Sequence, residues 1–231
     1  MGEQSRRFVI RILIALLSLL GVGGALAQTA QTWTFDKDAV GSEPEAFTAA
    51  RTGQGAEGTW IVEAAADAPS GPNAVRQAST DDTSYRFPVL VATEPQVTDG
   101  ELSVRFKALS GRVDQAGGLV WRYLDENNYY VVRANALENN VVLYKVENGN
   151  RSSLAPKGTP AGTYGVDHDV PAGDWNTLTV RFEGRLFTVS LNGEELFGVE
   201  DGTLTGSGRV GLWTKADSVM LFDDLTIEIE E

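Results

Sequence analysis

The chain has 231 residues, no cysteine, one histidine, and 32 acidic against 19 basic side chains, a formal net charge of −13. That excess of negative charge keeps a protein soluble and argues against binding to nucleic acid or anionic lipid. Without cysteine there is no disulfide, thiolate metal site or thiolate nucleophile.

In chain order, the first 27 residues read as an export signal. Arg6, Arg7 and Arg11 give a basic start, and Ile12 to Val22 is an eleven-residue apolar run. Ala25-Leu26-Ala27 then has the spacing cut by signal peptidase, which places cleavage before Gln28. The apolar run is too short to cross a bilayer, which takes about 20 residues, and nothing later is long or apolar enough to span one. Ser5 to Arg11 also loosely fits a twin-arginine signal, so both that route and the general secretory route stay open. Either route makes the protein periplasmic or secreted. Removing the signal leaves 204 residues, 16 basic and 31 acidic. A chain of that size buries about 70% of its unfolded surface in one core, and no linker divides it, so residues 28–231 form one domain.

Period-two patterns dominate that domain. Glu101 to Lys107 sets Leu102, Val104 and Phe106 against Glu101, Ser103, Arg105 and Lys107. Thr177 to Glu183 sets Leu178, Val180 and Phe182 against Thr177, Thr179, Arg181 and Glu183. Further strands are predicted at Thr59–Glu63, Tyr85–Val91, Leu119–Tyr123, Tyr129–Asn135, Val141–Glu147, Leu186–Leu191, Arg209–Thr214 and Val219–Ile229. Asn148-Gly149 and Asn192-Gly193 are hairpin turns, because both residues accept positive φ. Gly41–Gly58, Ala64–Asn73 and Ala155–Gly173 read as long surface loops. Many short strands at close spacing without helices mean an all-β sandwich.

The segment Gly206 to Ile229 and Trp33-Thr34-Phe35-Asp36 resemble the closing and opening strands of concanavalin A-like jelly rolls. Gly117 to Arg122, Asn127 to Asn135, Asn139 to Tyr144, Trp175 to Leu178 and Asn192-Gly193 are similar to the central strands of the 3-keto-disaccharide hydrolase-like domains within that superfamily. The resemblance covers about Trp33 to Ile229. It implies a concanavalin A-like jelly-roll β-sandwich and chemistry on sugars oxidised at carbon 3. The laminarinase mechanism is unavailable, because that family carries its acid and nucleophile on Glu-x-Asp-x-(x)-Glu and no Glu-x-Asp occurs here.

Arg122, Arg133 and Lys145 interrupt apolar strands, where a long cation must reach solvent or meet a partner. With Asn135 they are expected on one concave sheet face suited to hydroxyl-rich ligands, the alternative being a solvated face of snorkelling side chains. Trp213, beside the polar Lys215-Ala216-Asp217 turn, is a candidate rim for stacking a sugar ring, with Lys215 next to it. His168 lies between Asp167 and Asp169, and flanking carboxylates favour a protonated imidazole able to act as an acid. Asp36, Asp38, Asp223 and Asp224 have the oxygen chemistry of a structural calcium site clamping the chain ends. Phe222 and Leu225 both look buried at an odd spacing, which predicts a bulge at Asp223-Asp224.

Three functions fit this sequence. One is an exported protein that binds carbohydrate on a concave sheet face. Another is a hydrolase or lyase of 3-keto-glycosides. There the ketone acidifies the hydrogen at carbon 2, so a base (His168 or Asp169) and a cation polarising the carbonyl (Arg133 or Lys145) suffice. The third is a laminin-G-like adhesion or interaction module without chemistry.

Overall fold

In the computed structural model, which describes residues 29–230, the regular elements among the described residues are all strands. These are β1 (Thr29–Trp33), β2 (Phe47–Gly53), β3 (Trp60–Ala64), β4 (Asn73–Gln77), β5 (Arg86–Ala92), β6 (Gly100–Ser110), β7 (Ala116–Asp125) and β8 (Asn128–Asn135). They continue with β9 (Asn140–Glu147), β10 (Asn150–Ser153), β11 (Val166–Asp167), β12 (Asn176–Glu183), β13 (Leu186–Leu191), β14 (Glu194–Glu200), β15 (Arg209–Thr214) and β16 (Val219–Ile229). The predicted signal peptide, its cleavage point and Glu231 lie outside the described residues.

Two antiparallel sheets stack as the expected jelly-roll sandwich. Sheet A has the order β14-β13-β12-β6-β16-β4-β3, with β1 also on β16. Sheet B has the order β10-β9-β8-β7-β15-β5-β2, with β11 on β9. Leu102, Val104 and Phe106 of β6 and Leu178, Val180 and Phe182 of β12 face inward to meet Leu119, Trp121, Val132, Leu143 and Leu212 of sheet B. The alternation read from the sequence is thus the inside and outside of sheet A. Gly117 lets the sheets close here, since a Cβ at that point would come within 2.8 Å of Met220 Cε and 3.3 Å of Phe106.

The predicted bulge in β16 is present. The ladder with β6 shifts between Asp223 and Thr226, Asp224 takes φ 49°, and Phe222 and Leu225 are both fully buried. Two expected loops are corrected. Gly41–Gly58 contains β2, whose weak strand formers are held by a seven-residue ladder on β5, from Phe47 opposite Ala92 to Gly53 opposite Arg86. Ala155–Gly173 contains the two-residue β11, which caps the edge of β9.

Sheet B is strongly curled toward its outer face. Five strand steps separate β10 from β5, about 24 Å on a flat sheet. Yet the Arg151 guanidinium of β10 lies 4.2 Å from the ring centre of Phe87 on β5. Thr52 of β2 likewise bonds the Tyr129 hydroxyl of β8 at 2.7 Å, across four steps. The outer face is therefore concave and partly rolled shut. It forms a second apolar core of Phe87, Val89, Val91, Val120, Tyr129, Val131, Tyr144, Val146 and Trp213, no more than 2% exposed.

Candidate functional site

Beside this rolled core, the outer face of β7, β8 and β9 carries polar groups. Alternation along β8 puts Tyr129, Val131, Arg133 and Asn135 on it, and Tyr130, Val132 and Ala134 in the sandwich. Arg133 is fully buried. Its Nη2 donates to Glu138 Oε2 at 2.7 Å and to the hydroxyls of Tyr144 and Tyr164 at 3.2 Å each, and its Nη1 donates to Asn140 Oδ1. The two tyrosine hydroxyls also bond one another. Tyr164 is 48% exposed, so this buried network opens to solvent through its ring. Alongside, Asn135 Nδ2 donates to Asp114 Oδ1 at 2.9 Å, and Lys215 Nζ lies 2.9 Å from both Asp114 oxygens.

The electrostatics follow from burial and pairing. Burial raises the Glu138 carboxyl, but attraction from Arg133 and Lys215 outweighs it and holds the group below its ordinary range. Burial pushes Asp114 up in spite of Lys215. It also raises the Tyr144 phenol, opposed by Arg133 and Arg151. The result is a fixed polar cluster: two hydrogen-bonded phenols backed by a guanidinium, with an ammonium and an amide nearby. Arg151 adds a second guanidinium 4.3 Å from the Tyr144 ring centre and 5.6 Å from that of Trp213. Sequence reasoning missed Tyr144, Tyr164, Glu138, Asp114 and Arg151. The usable signal was parity, since Tyr144 is two residues from Val142 and Val146 on the outward face. Arg151 carried a signal too, since the Asn148-Gly149 hairpin sets it opposite Val146 on that face, whereas Tyr164 comes from a loop and gave none.

Of the predicted ligand residues, Arg133, Asn135, Trp213 and Lys215 share this face. Arg122 does not. Its φ is 47° at a register shift in β7, which turns the side chain from the outer face into the end of the sandwich, over the Phe187 ring at 5.6 Å. Lys145 sits opposite Tyr130, on the inward parity, and donates to Thr203 Oγ1 at 2.7 Å and Asp201 Oδ2 at 3.4 Å. Trp213 is no exposed rim: it is fully buried and stacks on Phe87 at 5.3 Å. His168 follows β11, and its amide donates to Asn139 O at 2.9 Å. Among the described residues, neither its imidazole nor exposed Asp169 makes a hydrogen bond or ion pair with the Arg133 network.

Asp36 and Asp223 face one segment. Asp223 is fully buried; its Oδ2 accepts from Ser70 N at 3.2 Å and its Oδ1 from Asp224 N at 2.8 Å. Burial pushes its carboxyl up to about 6, and the charge of Asp224 adds to this. Asp36 Oδ1 accepts from Asn73 N at 3.2 Å, and its carboxylate stands over Gly71, where a Cβ would lie 2.0 Å away. Two carboxylates around Ser70–Asn73 have the oxygen chemistry a hard cation takes. Among the described residues, no group of three or more His, Cys, Asp or Glu is arranged to hold a metal.

Residues 35–228, covering both sheets and the Arg133 network, match the family model of the 3-keto-alpha-glucoside-1,2-lyase-like domain. The chain belongs to that family. None of the curated proteins matches it in sequence. Among solved structures, it is similar to the carbohydrate-binding module CBM66 from Bacillus subtilis, with 20% identity, a TM-score of 0.60, and 79% of this chain and 95% of that one covered. It is similar to a Bacillus subtilis protein with a galectin-like fold at 9% identity and TM-score 0.52, over 79% and 88% of the two chains. Domain 4 of AbnA, an extracellular arabinanase of Geobacillus stearothermophilus in complex with arabinotriose, matches at 17% identity and TM-score 0.51, over 87% and 92%. At these identities the 3-keto-alpha-glucoside-1,2-lyase-like domain shares the sandwich with them. Within the described residues, no helix is long and apolar enough to cross a membrane.

Proposed function

We propose that this protein is exported, resides in the periplasm or outside the cell, and binds saccharide on the concave outer face of sheet B. The observation that carries this reading is Arg133: a fully buried guanidinium fixed by Glu138, Asn140, Tyr144 and Tyr164, with Tyr164 open to solvent. A sugar presents hydroxyls at fixed angles, and donors already locked in place lose little entropy on meeting them. Asn135 and Lys215 extend the polar strip, and the rolled aromatic core holds the face rigid. Calorimetry with a panel of oligosaccharides tests it, with Tyr164→Phe as the probe. Removing one hydroxyl from a half-exposed ring leaves the fold intact and should weaken binding about three- to tenfold. Equal binding by wild type and variant would take this face out of the account.

A second reading is favoured by the family. On a 3-keto-glycoside, a base takes the hydrogen from carbon 2, the carbon 1–carbon 2 double bond forms, the carbon 1–oxygen bond breaks, and the leaving oxygen gains a proton. Tyr164, backed by Arg133, supplies a donor for the carbonyl oxygen as charge builds there. His168 and Asp169 are the sequence candidates for the base, on the loop that follows β11. Incubation of the mature protein with a 3-keto-disaccharide, following product, decides between binding alone and turnover. No turnover across a broad panel, with or without calcium, would leave the binding reading standing.

A further inference from the structure

The opposite face of the molecule is built differently. On sheet A, β-pairing lines up Thr32, Thr226, Ser103, Thr179 and Ser190 on the adjacent strands β1, β16, β6, β12 and β13. All point outward, since the residues alternating with them fill the sandwich core. Strands lie about 4.8 Å apart, so this hydroxyl row is about 19 Å long. At the end nearer β14 it meets a groove of about 440 Å³ lined by Glu101, Thr179, Arg181, Thr188, Ser190 and Glu195. That volume is within the range of small-molecule sites, roughly 300–1,000 Å³.

The groove has unspent hydrogen-bonding capacity. Among the described residues, the side-chain hydroxyls of Thr179, Thr188 and Ser190, and of Ser103 beside them, bond to no protein atom. Each can donate and accept. Arg181, by contrast, is shared with Glu183 and Glu230 at 3.6 and 3.1 Å. With Glu101 and Glu195 also present, the local charge is negative.

We propose that the outer face of sheet A is a second saccharide-binding groove, taking neutral polyhydroxylated chains that lie across the strands. Strand spacing is comparable with the rise of one ring in an extended polysaccharide, so successive sugars meet successive hydroxyls. Glu101 and Glu195 accept from paired sugar hydroxyls and repel a uronate. No aromatic ring lines the groove, so recognition is by hydrogen bonds and gains strength from chain length. This goes beyond the sheet B site and does not depend on it: the two faces lie on opposite sides of the core.

The test is NMR titration of the described domain with cellohexaose, maltohexaose and hexagalacturonate, repeated on Thr179→Val/Ser190→Val. Both replacements suit a strand and take away the hydroxyls, with a methyl group in the place of the hydroxyl at 179 and one further methyl added at 190. A neutral hexasaccharide should shift amides of Ser103, Thr179, Thr188 and Ser190, and the double variant should bind it about tenfold more weakly. Shifts confined to the Arg133 face would overturn the groove and leave that face standing. Shifts confined to the groove would do the reverse. Hexagalacturonate binding the groove as well as the neutral chains would overturn its proposed ligand class, and no shift with any sugar would overturn both sites.

Discussion

Replacing Arg122 by methionine separates a ligand-binding arginine from one that closes the sandwich. The side chain is fully buried, and its donors reach four acceptors on three segments: Nε to Thr98 O at 3.1 Å, Nη1 to Leu204 O at 2.8 Å, and Nη2 to Gly184 O at 2.7 Å and Asp99 Oδ1 at 3.1 Å. Methionine keeps the length and the apolar stem but leaves every acceptor behind. Removing one partner of a buried ion pair costs about 3–5 kcal/mol. Asp99 is 32% exposed and can turn to water, which argues for the lower end, about 3 kcal/mol. For a domain of this size that lowers the melting temperature by about 6–12 °C, at about 2–4 °C per kcal/mol. Differential scanning calorimetry reads this directly, and saccharide affinity at a temperature where the variant is folded should stay at the wild-type value. An unchanged melt together with lost binding would refute the reasoning and return Arg122 to the ligand site.

Trp213→Ala should cost about 3–5 kcal/mol as a core cavity, visible in denaturant melts; a loss under 1 kcal/mol would mean the ring is on the surface after all. Asp217 accepts the amides of Arg112, Val113 and Asp114 at 2.7–3.0 Å; burial raises its carboxyl, but these donors outweigh it and hold it below the ordinary range. Its contribution is therefore present above about pH 3.9 and lost as the pH falls through the lower folded value, so the stability gap to Asp217→Asn should shrink toward pH 3. A gap that stays constant from pH 7 to 3 contradicts that. We propose that calcium is held by Asp36 and Asp223 at the Ser70–Asn73 segment. Calcium at 100 times its dissociation constant would then add about 2.7 kcal/mol, roughly 5–10 °C in the melt relative to EDTA. Coincident melts in calcium and EDTA would mean that these aspartates serve the fold only through their hydrogen bonds to Ser70 and Asn73.

The sequence by itself determined the sandwich, because alternation is a local property. LSVRF in β6 and LTVRF in β12 each state which side chains face inward, and the odd spacing of Phe222 and Leu225 marked the β16 bulge. The same logic placed Arg133 and Asn135 on the outer face of sheet B. What alternation cannot carry is any event that resets parity or brings distant segments together. The left-handed residue at Arg122 rotates one side chain from the outer face of sheet B into the core's end, although its neighbours in sequence promise otherwise. Lys145 looked alike in kind to Arg133 but fell on the inward face. The curl of sheet B, about 24 Å of strand spacing closed to one cation–π contact between Arg151 and Phe87, was decided only by tertiary packing. That curl buries Trp213 where the sequence suggested a rim. The contact between Tyr164, from a glycine-rich loop, and Tyr144 and Arg133 is likewise tertiary. A strand pattern records which way a side chain points, and only the folded sheet decides what it meets there.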